Sequence, residues 1–422
     1  MWVHIIRPLP SRRPPDEVKG TRGKTLEGRC VVAGITGSIA AYRAPDMIRE
    51  LVRLGADVVA TASRDAMKYV TRDVLSWATG REPLLELSGY SEHTALADEC
   101  DAMIIAPATA NTIAKLASGI ADTPVTLIAL TMIGAGKPVI IVPTMHSSLY
   151  AAAQTREALK RLAQVGAIVF PPLIEEGKLK FPPPKELALA VDTVVNRGRD
   201  AEGMRLVVTA GPTREWLDRI RFLSNPSSGL MGVAIAREAL LRGADVVLVA
   251  GPLKYGAPHY LRIINVETTD EMLNAVIKAV KGTNPHAVVL AAAPSDFRFG
   301  KTWEGRLRTT DSPIKVELVP TPKISLKIRE FFDGLLIGFA AEYAEGDVEK
   351  LIESAKEKLE KRGFDAIAAN DVSVEGIGFS SYENEVWLVD REGVKRIPRA
   401  RKEVIARHIV DYILERAGVS MP

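Results

Sequence analysis

At 422 residues, 47% hydrophobic and 25% charged, the chain has the composition of a globular protein of two or three domains. A formal net charge of +3 is too small to argue for nucleic acid or an anionic membrane as partner. Two cysteines, Cys30 and Cys100, outside any CxxC pair, predict neither a disulfide framework nor a zinc site and favour a reducing, cytoplasmic setting.

Residues 1–27 are basic, carry prolines at 8, 10, 14 and 15, and lack an apolar stretch of signal-peptide length; they read as a mobile arm. A first domain is expected over 28–195. It opens with a buried strand at 30–35 and the turn Gly37-Ser38. A helix follows, with Ala44, Met47, Ile48 and Leu51 on one face, and then a strand at 57–60. The apolar region 102–143 is interrupted by Lys115, Asp122 and Pro124, which excludes a membrane span. After a helix expected over 185–195, the polar run NRGRDAEG (196–203) reads as a linker to a second domain over 204–422.

The second domain repeats the grammar of the first: strand 206–209, Gly-rich loop, helix closed by Gly243, strand 245–250. The junction GADVV recurs at 55–59 and 243–247, and further strands are expected at 287–291, 335–339, 366–369 and 385–389. The fold class is therefore α/β, two doubly wound parallel-sheet domains in tandem, Rossmann-like or flavodoxin-like.

Three polar turns in the first domain follow strands, on the sheet edge where α/β proteins bind ligands. They hold Gly37, Ser38 and Ile39; Thr61 and Ser63; and Pro107, Ala108, Thr109 and Asn111. None has the GxGxxG spacing, so a mononucleotide phosphate is the expected ligand. In the second domain the loop TAGPTREWLDRIRFLSNPSSGLMG (209–232) is richer still. Gly211, Thr213, Ser227, Ser228 and Gly229 supply small donors at the start of a helix, a phosphate cradle. Asn225 can donate to a developing oxyanion; its plainer reading is a turn residue in Asn-Pro. Ala293 and Asp296 follow another strand in AAAPSDF, which resembles a segment of the phosphopantothenate–cysteine ligases; the resemblance implies that Asp296 contacts nucleotide directly or through Mg2+, and its plainer reading is a helix N-cap.

GITGSIAAYRAPD, His93, APATANTIAKLA and VPTMHSSLY resemble the flavin-containing cysteine decarboxylases, and AGPTRE, LSNPSSGLMG, AAAPSDFR and GFAAE resemble phosphopantothenate–cysteine ligases. In that order, from about 28 to 415, the chain is similar to bifunctional coenzyme A biosynthesis proteins. The resemblance implies FMN in the first domain and CTP with Mg2+ in the second. It implies ligation of 4′-phosphopantothenate to cysteine through an acyl-cytidylate, then decarboxylation of 4′-phosphopantothenoylcysteine to 4′-phosphopantetheine. His93 takes the place of the family's catalytic histidine, Asn225 that of its asparagine, and Arg306 or Arg308 that of its KIKK lysine; Lys323 and Phe339 become phosphate and base contacts. His146 stands where the family's PxMN asparagine holds the substrate carboxylate. The flap segment LIEEGKLKFPPP lacks the family's cysteine; Lys178 or Lys180 is a replacement proton donor, or simply a solvated lysine.

The resemblance further implies a cytoplasmic homododecamer built from trimers and dimers, acting on small molecules and on neither nucleic acid nor membrane. An active ligase beside a merely structural or regulatory flavin domain is the alternative. An NAD(P)-dependent oxidoreductase is disfavoured, since neither half shows GxGxxG with a ribose-binding acid.

Overall fold

A computed structural model describes residues 14–309, 313–379 and 381–418. The apolar run CVVAGI reads as a strand covered on both faces, and it forms β1 (Cys30–Ile35), an interior strand of a five-stranded sheet. Around it the chain winds α1 (Ala44–Arg53), β2 (Asp57–Ala62), α2 (Arg72–Thr79), α3 (Glu92–Glu99), β3 (Ala102–Ala108), α4 (Ala110–Ala117), α5 (Pro124–Gly134) and β4 (Val139–Pro143). Then come α6 (Ser147–Ala151), α7 (Ala153–Gln164) and the short β5 (Ile168–Val169). The strand order β2-β1-β3-β4-β5, parallel throughout, is the doubly wound arrangement expected, with its loops gathered at the C-terminal edge. A separate hairpin, β6 (Leu173–Glu175) and β7 (Lys178–Lys180), precedes α8 (Pro184–Arg197).

The second unit builds an eight-stranded sheet. Its elements are β8 (Arg205–Ala210), the hairpin β9 (Arg214–Trp216) and β10 (Phe222–Ser224), α9 (Leu230–Leu241), β11 (Asp245–Ala250), β12 (Arg262–Asn265), α10 (Thr269–Thr283) and β13 (Ala287–Leu290). A second hairpin of β14 (Phe297–Phe299) and β15 (Leu318–Pro320) leads to α11 (Ile324–Arg329). The chain ends with β16 (Leu335–Glu342), α12 (Val348–Arg362), β17 (Ala366–Asp371), β18 (Glu383–Asp390), β19 (Val394–Arg401) and α13 (Lys402–Ala417). The order is β12-β11-β8-β13-β16-β17-β18-β19, and the first six strands are parallel. The last two are antiparallel, which departs from the all-parallel expectation. The physical reason is the connection from β17 to β18, which holds no crossover helix and can only return the chain antiparallel. The recurrent GADVV junction is one backbone solution used twice: Gly55 and Gly243 both sit at φ +101°, where a side chain is strained.

Three further expectations change. The arm expected over 1–27 is tied down within the described residues: the Gly20 N–H donates to the Val52 carbonyl, the Leu26 N–H to that of Leu54, and Leu26 is fully buried. Residues 1–13 lie outside the described ones. The units divide between Gly198 and Arg199, so the expected 196–203 linker is shared between α8 and the second unit, where Ala201 is buried. Finally, Cys30 and Cys100 are joined as a disulfide. Because β1 pairs with β3 (Val31 beside Ala102), the residues preceding that pair are neighbours across a sequence separation of 70. Nothing in the spacing CysX69Cys signals this.

Closing a loop of that length removes about 4 kcal/mol of unfolded-chain entropy in the loop-closure treatment. Reduction, or Cys100→Ser, is therefore expected to lower the melting midpoint of the first unit while leaving that of the second in place. Two reactive thiols in the native, unreduced protein would contradict the bond.

Candidate active sites

In the first unit, Thr36 draws two of the three predicted turns together. Its hydroxyl donates to the Pro107 carbonyl at 2.7 Å and accepts from the Thr109 N–H at 3.0 Å. Gly37 closes on the third: a Cβ there would come within 2.5 Å of the Asp65 side chain, so only glycine allows the approach. The turns following β1, β2 and β3 thus share one edge. Ser38 accepts from the Ala40 N–H, Ser63 from Ala66, and Thr109 caps α4 by accepting from Thr112. Ile39 and Asn111 are exposed beside them.

Two parts of the prediction shift. Thr61 lies inside β2, fully buried, with its hydroxyl on the Leu84 carbonyl, so it supports the neighbouring turn rather than offering a free donor. Pro107 and Ala108 belong to buried β3, leaving Thr109 and Asn111 as the accessible part of that turn.

His93 is the second residue of α3, half-buried, beside Glu92, whose carboxylate accepts from Ser88. That hydrogen bond is the main cause holding the Glu92 carboxyl below its ordinary value. His146 caps α6, its Nδ1 accepting from the Ser148 N–H, which leaves Nε2 as the ring's donor. The flap is the β6–β7 hairpin, and it lies against this histidine: the Ser147 N–H donates to the Gly177 carbonyl and the Leu179 N–H to that of Met145. Lys178 is exposed on the hairpin, while Lys180 pairs with Glu176.

A cofactor with a phosphate and a polar ring system fits this edge by donor chemistry. The hydroxyls of Ser38 and Ser63 already accept local N–H groups, so their own protons remain available to a ligand oxygen. The Asn111 amide offers donor and acceptor together.

The second unit holds a cavity of about 270 Å³ at the C-terminal edge of its sheet. Ser227, Ser228, Gly229, Ala293, Asp296, Lys323 and Phe339, all singled out from the sequence, line it. The other predicted residues are placed differently. Gly211, at φ +78°, packs beneath the loop, where a Cβ would lie 3.2 Å from the Gly251 carbonyl. Thr213 is fully buried and hydrogen-bonds Thr269 Oγ1 and the Ser295 N–H, so it braces the site from behind. The Asn225 amide donates to the carbonyls of Ala293 and Pro294, which fixes the AAAPSD turn; as built, those protons hold the protein rather than an oxyanion. Asp296 caps no helix: it precedes β14 and pairs with Lys323.

Arg306 and Arg308 are exposed on the loop between β14 and β15, outside the cavity lining. Asp218 tethers that loop. Its side chain, fully buried, accepts from the N–H groups of Ile220, Arg221 and Leu307 and from the Arg221 guanidinium. The guanidinium is the largest cause holding the Asp218 carboxyl far below the usual carboxylate range.

Sequence reasoning missed, among other lining residues, Lys358 and Arg362 on α12, Asn384 on β18 and Lys402 at the start of α13. Lys358 pairs with Glu342 of the GFAAE segment. In sequence these lysines and this arginine sit in charge-rich stretches (AKEKLEKR, RARKE) that read as solvated helix faces; only the fold turns them inward. Asn370, at the end of β17, also lines the cavity. Its neighbour Asp371 serves structure instead. Burial alone would raise its carboxyl, but the hydroxyl and N–H of Ser373 and the N–H groups of Ala344 and Gly346 hold it at about 2. Lys402 is 5% exposed and donates to the Gly378 carbonyl; burial lowers its ammonium to about 8, with Glu403 opposing. Among the described residues, four cations (Lys323, Lys358, Arg362, Lys402) line the cavity against one carboxylate, Asp296, which suits a polyanion. No group of three or more His, Cys, Asp or Glu side chains suited to a metal occurs among the described residues, and no helix there is long and apolar enough to cross a membrane.

Comparison with known proteins agrees with this two-part division. Residues 20–197 match the Flavoprotein family, and residues 201–417 match the DNA/pantothenate metabolism flavoprotein C-terminal domain. The chain is 40% identical over 402 residues to the coenzyme A biosynthesis bifunctional protein CoaBC of Thermococcus kodakarensis, covering 94% of this chain and 97% of that one. It is 35% identical to the protein of the same name from Methanocaldococcus jannaschii (93% and 96% covered) and 34% identical to that of Escherichia coli (93% and 98%). The chain belongs to the coenzyme A biosynthesis bifunctional protein family.

The Asp218 tether carries a prediction. Asp218→Asn is expected to speed hydrogen exchange across residues 300–309 and to lower the melting midpoint at pH 7. A carboxyl with a depressed folded-state pKa stabilises above its unfolded value of about 4 and loses that contribution as pH falls further. The gap between wild type and variant should therefore narrow below pH 4; a gap independent of pH would contradict the tether.

Proposed function

We propose that this member of the coenzyme A biosynthesis bifunctional family joins 4′-phosphopantothenate to cysteine in its second unit, at the cost of CTP, and decarboxylates the product in its first. The observation that carries the reading is the second unit's cavity. A serine-rich cradle leading into α9 lines one cavity with the cations Lys323, Lys358, Arg362 and Lys402, in a chain that matches a bifunctional relative over 94% of its length.

In the ligase step the carboxylate of 4′-phosphopantothenate attacks the α-phosphorus of CTP and pyrophosphate leaves. The cysteine amine then attacks the acyl carbon and CMP leaves. Ser227, Ser228 and the N–H of Gly229 cradle phosphate, and Lys323, Lys358 and Arg362 offset the triphosphate charge. Asp296, the one carboxylate of the lining, would meet a Mg2+ carried by the triphosphate, which would offset phosphate charge there. Asn225 holds the turn that bears Ala293 and Asp296, so it acts through placement of the acyl group. Arg306 and Arg308, exposed on the loop between β14 and β15, would supply the positive charge given to a lysine in the family motif.

In the first unit Ser38, Ser63, Thr109 and Asn111 would hold FMN. When bound, FMN supplies reversible two-electron oxidation at the substrate thiol, which gives the carbanion left by CO2 a sulfur-conjugated sink. His93 accepts the proton lost at this centre, and His146 Nε2 donates to the substrate carboxylate beneath the hairpin. Lys178, exposed on that hairpin, is placed to return a proton, in the absence of the family's flap cysteine. The protein is proposed to work in the cytoplasm as an oligomer of trimers and dimers.

Two variants separate the halves. His93→Asn is expected to keep flavin absorbance and the ligase reaction but to lose decarboxylation at least a hundredfold, so that 4′-phosphopantothenoylcysteine accumulates. Asn225→Ala is expected to cut formation of that intermediate while pyrophosphate release persists. A His93→Asn protein that decarboxylates at the wild-type rate would remove the first unit from the reaction as described, and would favour the reading in which the flavin unit serves structure or regulation.

A further inference from the structure

Glu215, on β9, is a buried carboxylate, 5% exposed, that stands outside the lining of the ligase cavity. Its Oε1 accepts from the Thr269 N–H at 2.9 Å and from the Thr269 hydroxyl at 2.7 Å. The first bond caps α10, which Thr269 opens, and is a structural duty complete in itself. The second begins a chain. The Thr269 hydroxyl lies 2.9 Å from that of Thr213, and Thr213 Oγ1 accepts from the Ser295 N–H at 2.9 Å. Ser295 belongs to the turn 293–296, whose four residues all line the cavity.

One charge sets the order of protons along this chain. An ionised carboxylate only accepts, and Thr269 has a single hydroxyl proton. That proton goes to Glu215 at 2.7 Å rather than to the Ser295 carbonyl at 3.5 Å. Toward Thr213, Thr269 can then only accept, so the Thr213 proton points at it and a Thr213 lone pair is left for the Ser295 N–H. Charge-assisted hydrogen bonds are roughly twice as strong as neutral ones, and bonds in a chain polarise one another. Resting on the ligase reading above, we propose that Glu215 is a positioning residue of the ligase site: acting through Thr269 and Thr213, it fixes the 293–296 turn, and with it Asp296, for the nucleotide. Two substitutions separate this role from capping. Glu215→Gln keeps the size and an oxygen for the α10 cap but loses the charge. Thr213→Val cuts the chain in its middle and leaves the cap untouched.

The test is a double-mutant cycle on the full chain. Pyrophosphate release in the presence of 4′-phosphopantothenate and cysteine gives kcat/KM for CTP in wild type, Glu215→Gln, Thr213→Val, their combination and Thr213→Ser. Amide exchange is followed across residues 291–297, and Thr213→Ala repeats the cut if Thr213→Val does not fold. Thr213→Val is expected to lower kcat/KM about tenfold or more and to speed exchange at Ser295. Glu215→Gln is expected to lower kcat/KM about fivefold alone and to add nothing in the Thr213→Val background. Thr213→Ser, which keeps the hydroxyl, is expected to recover most of the wild-type value. Losses that multiply in the combination overturn the proposal and leave Glu215 to α10 alone. Wild-type kcat/KM in either single variant also overturns it, whatever happens to the melting midpoint. A wild type that releases no pyrophosphate from any nucleoside triphosphate would sink the ligase reading itself, a result distinct from an active wild type whose variants show no coupling.

Discussion

The ligase unit depends on how closely one helix can approach one strand. Gly232, in the first turn of α9, lies so near β8 that a Cβ would meet the Thr209 carbonyl oxygen at 2.4 Å and the Ala210 side chain at 2.7 Å. No neighbour there is a flexible side-chain end that could yield, so only glycine permits the contact. That approach sets the start of α9 against the sheet edge and places Ser227, Ser228 and Gly229 at the mouth of the cavity. Gly229 repeats the constraint from above, at φ +78° with Leu253 and Gly211 against it. The first unit uses Gly37 against Asp65 and the Thr36 hydroxyl to the same end. In both units a parallel sheet, covered on its two faces, leaves its C-terminal edge for chemistry, and glycine decides how tightly the loops there close.

The cavity is held by interactions that are themselves remote from ligand. Thr213, Thr269, Ser295 and Glu215 form a buried hydrogen-bonded group behind the AAAPSD turn, and Asn225 clasps that turn from the front. Polar residues in a Gly-rich loop thus divide between contact and support. A sequence motif records both without distinguishing them, which is why Thr213 and Asn225 stand in the motif yet bond protein rather than open space.

What the sequence reveals follows the same physics. Strands 30–35 and 245–250 are found where expected, because a strand covered on both faces must be an unbroken apolar run bounded by turn residues. The loop cradle was legible because so many small donors in one segment serve no core. The disulfide was not, since it depends on β1 lying beside β3, a fact of topology rather than spacing. Nor were Lys358, Arg362, Asn384 and Lys402: their helices and strand arrive late in the chain, and on paper a lysine turned into a cavity looks like one turned to water. Lys178 shows the converse difficulty, a residue placed by hairpin geometry whose chemistry rests on what is missing around it.

The central claim is that one chain carries two consecutive reactions. It is tested most directly by supplying the purified protein with 4′-phosphopantothenate, cysteine, CTP and Mg2+ and weighing the products. The account predicts 4′-phosphopantetheine, with CO2, CMP and pyrophosphate in equal measure. Product that stops at 4′-phosphopantothenoylcysteine would contradict the decarboxylating role of the first unit, and the absence of any coupled product with CTP or ATP would contradict the account as a whole.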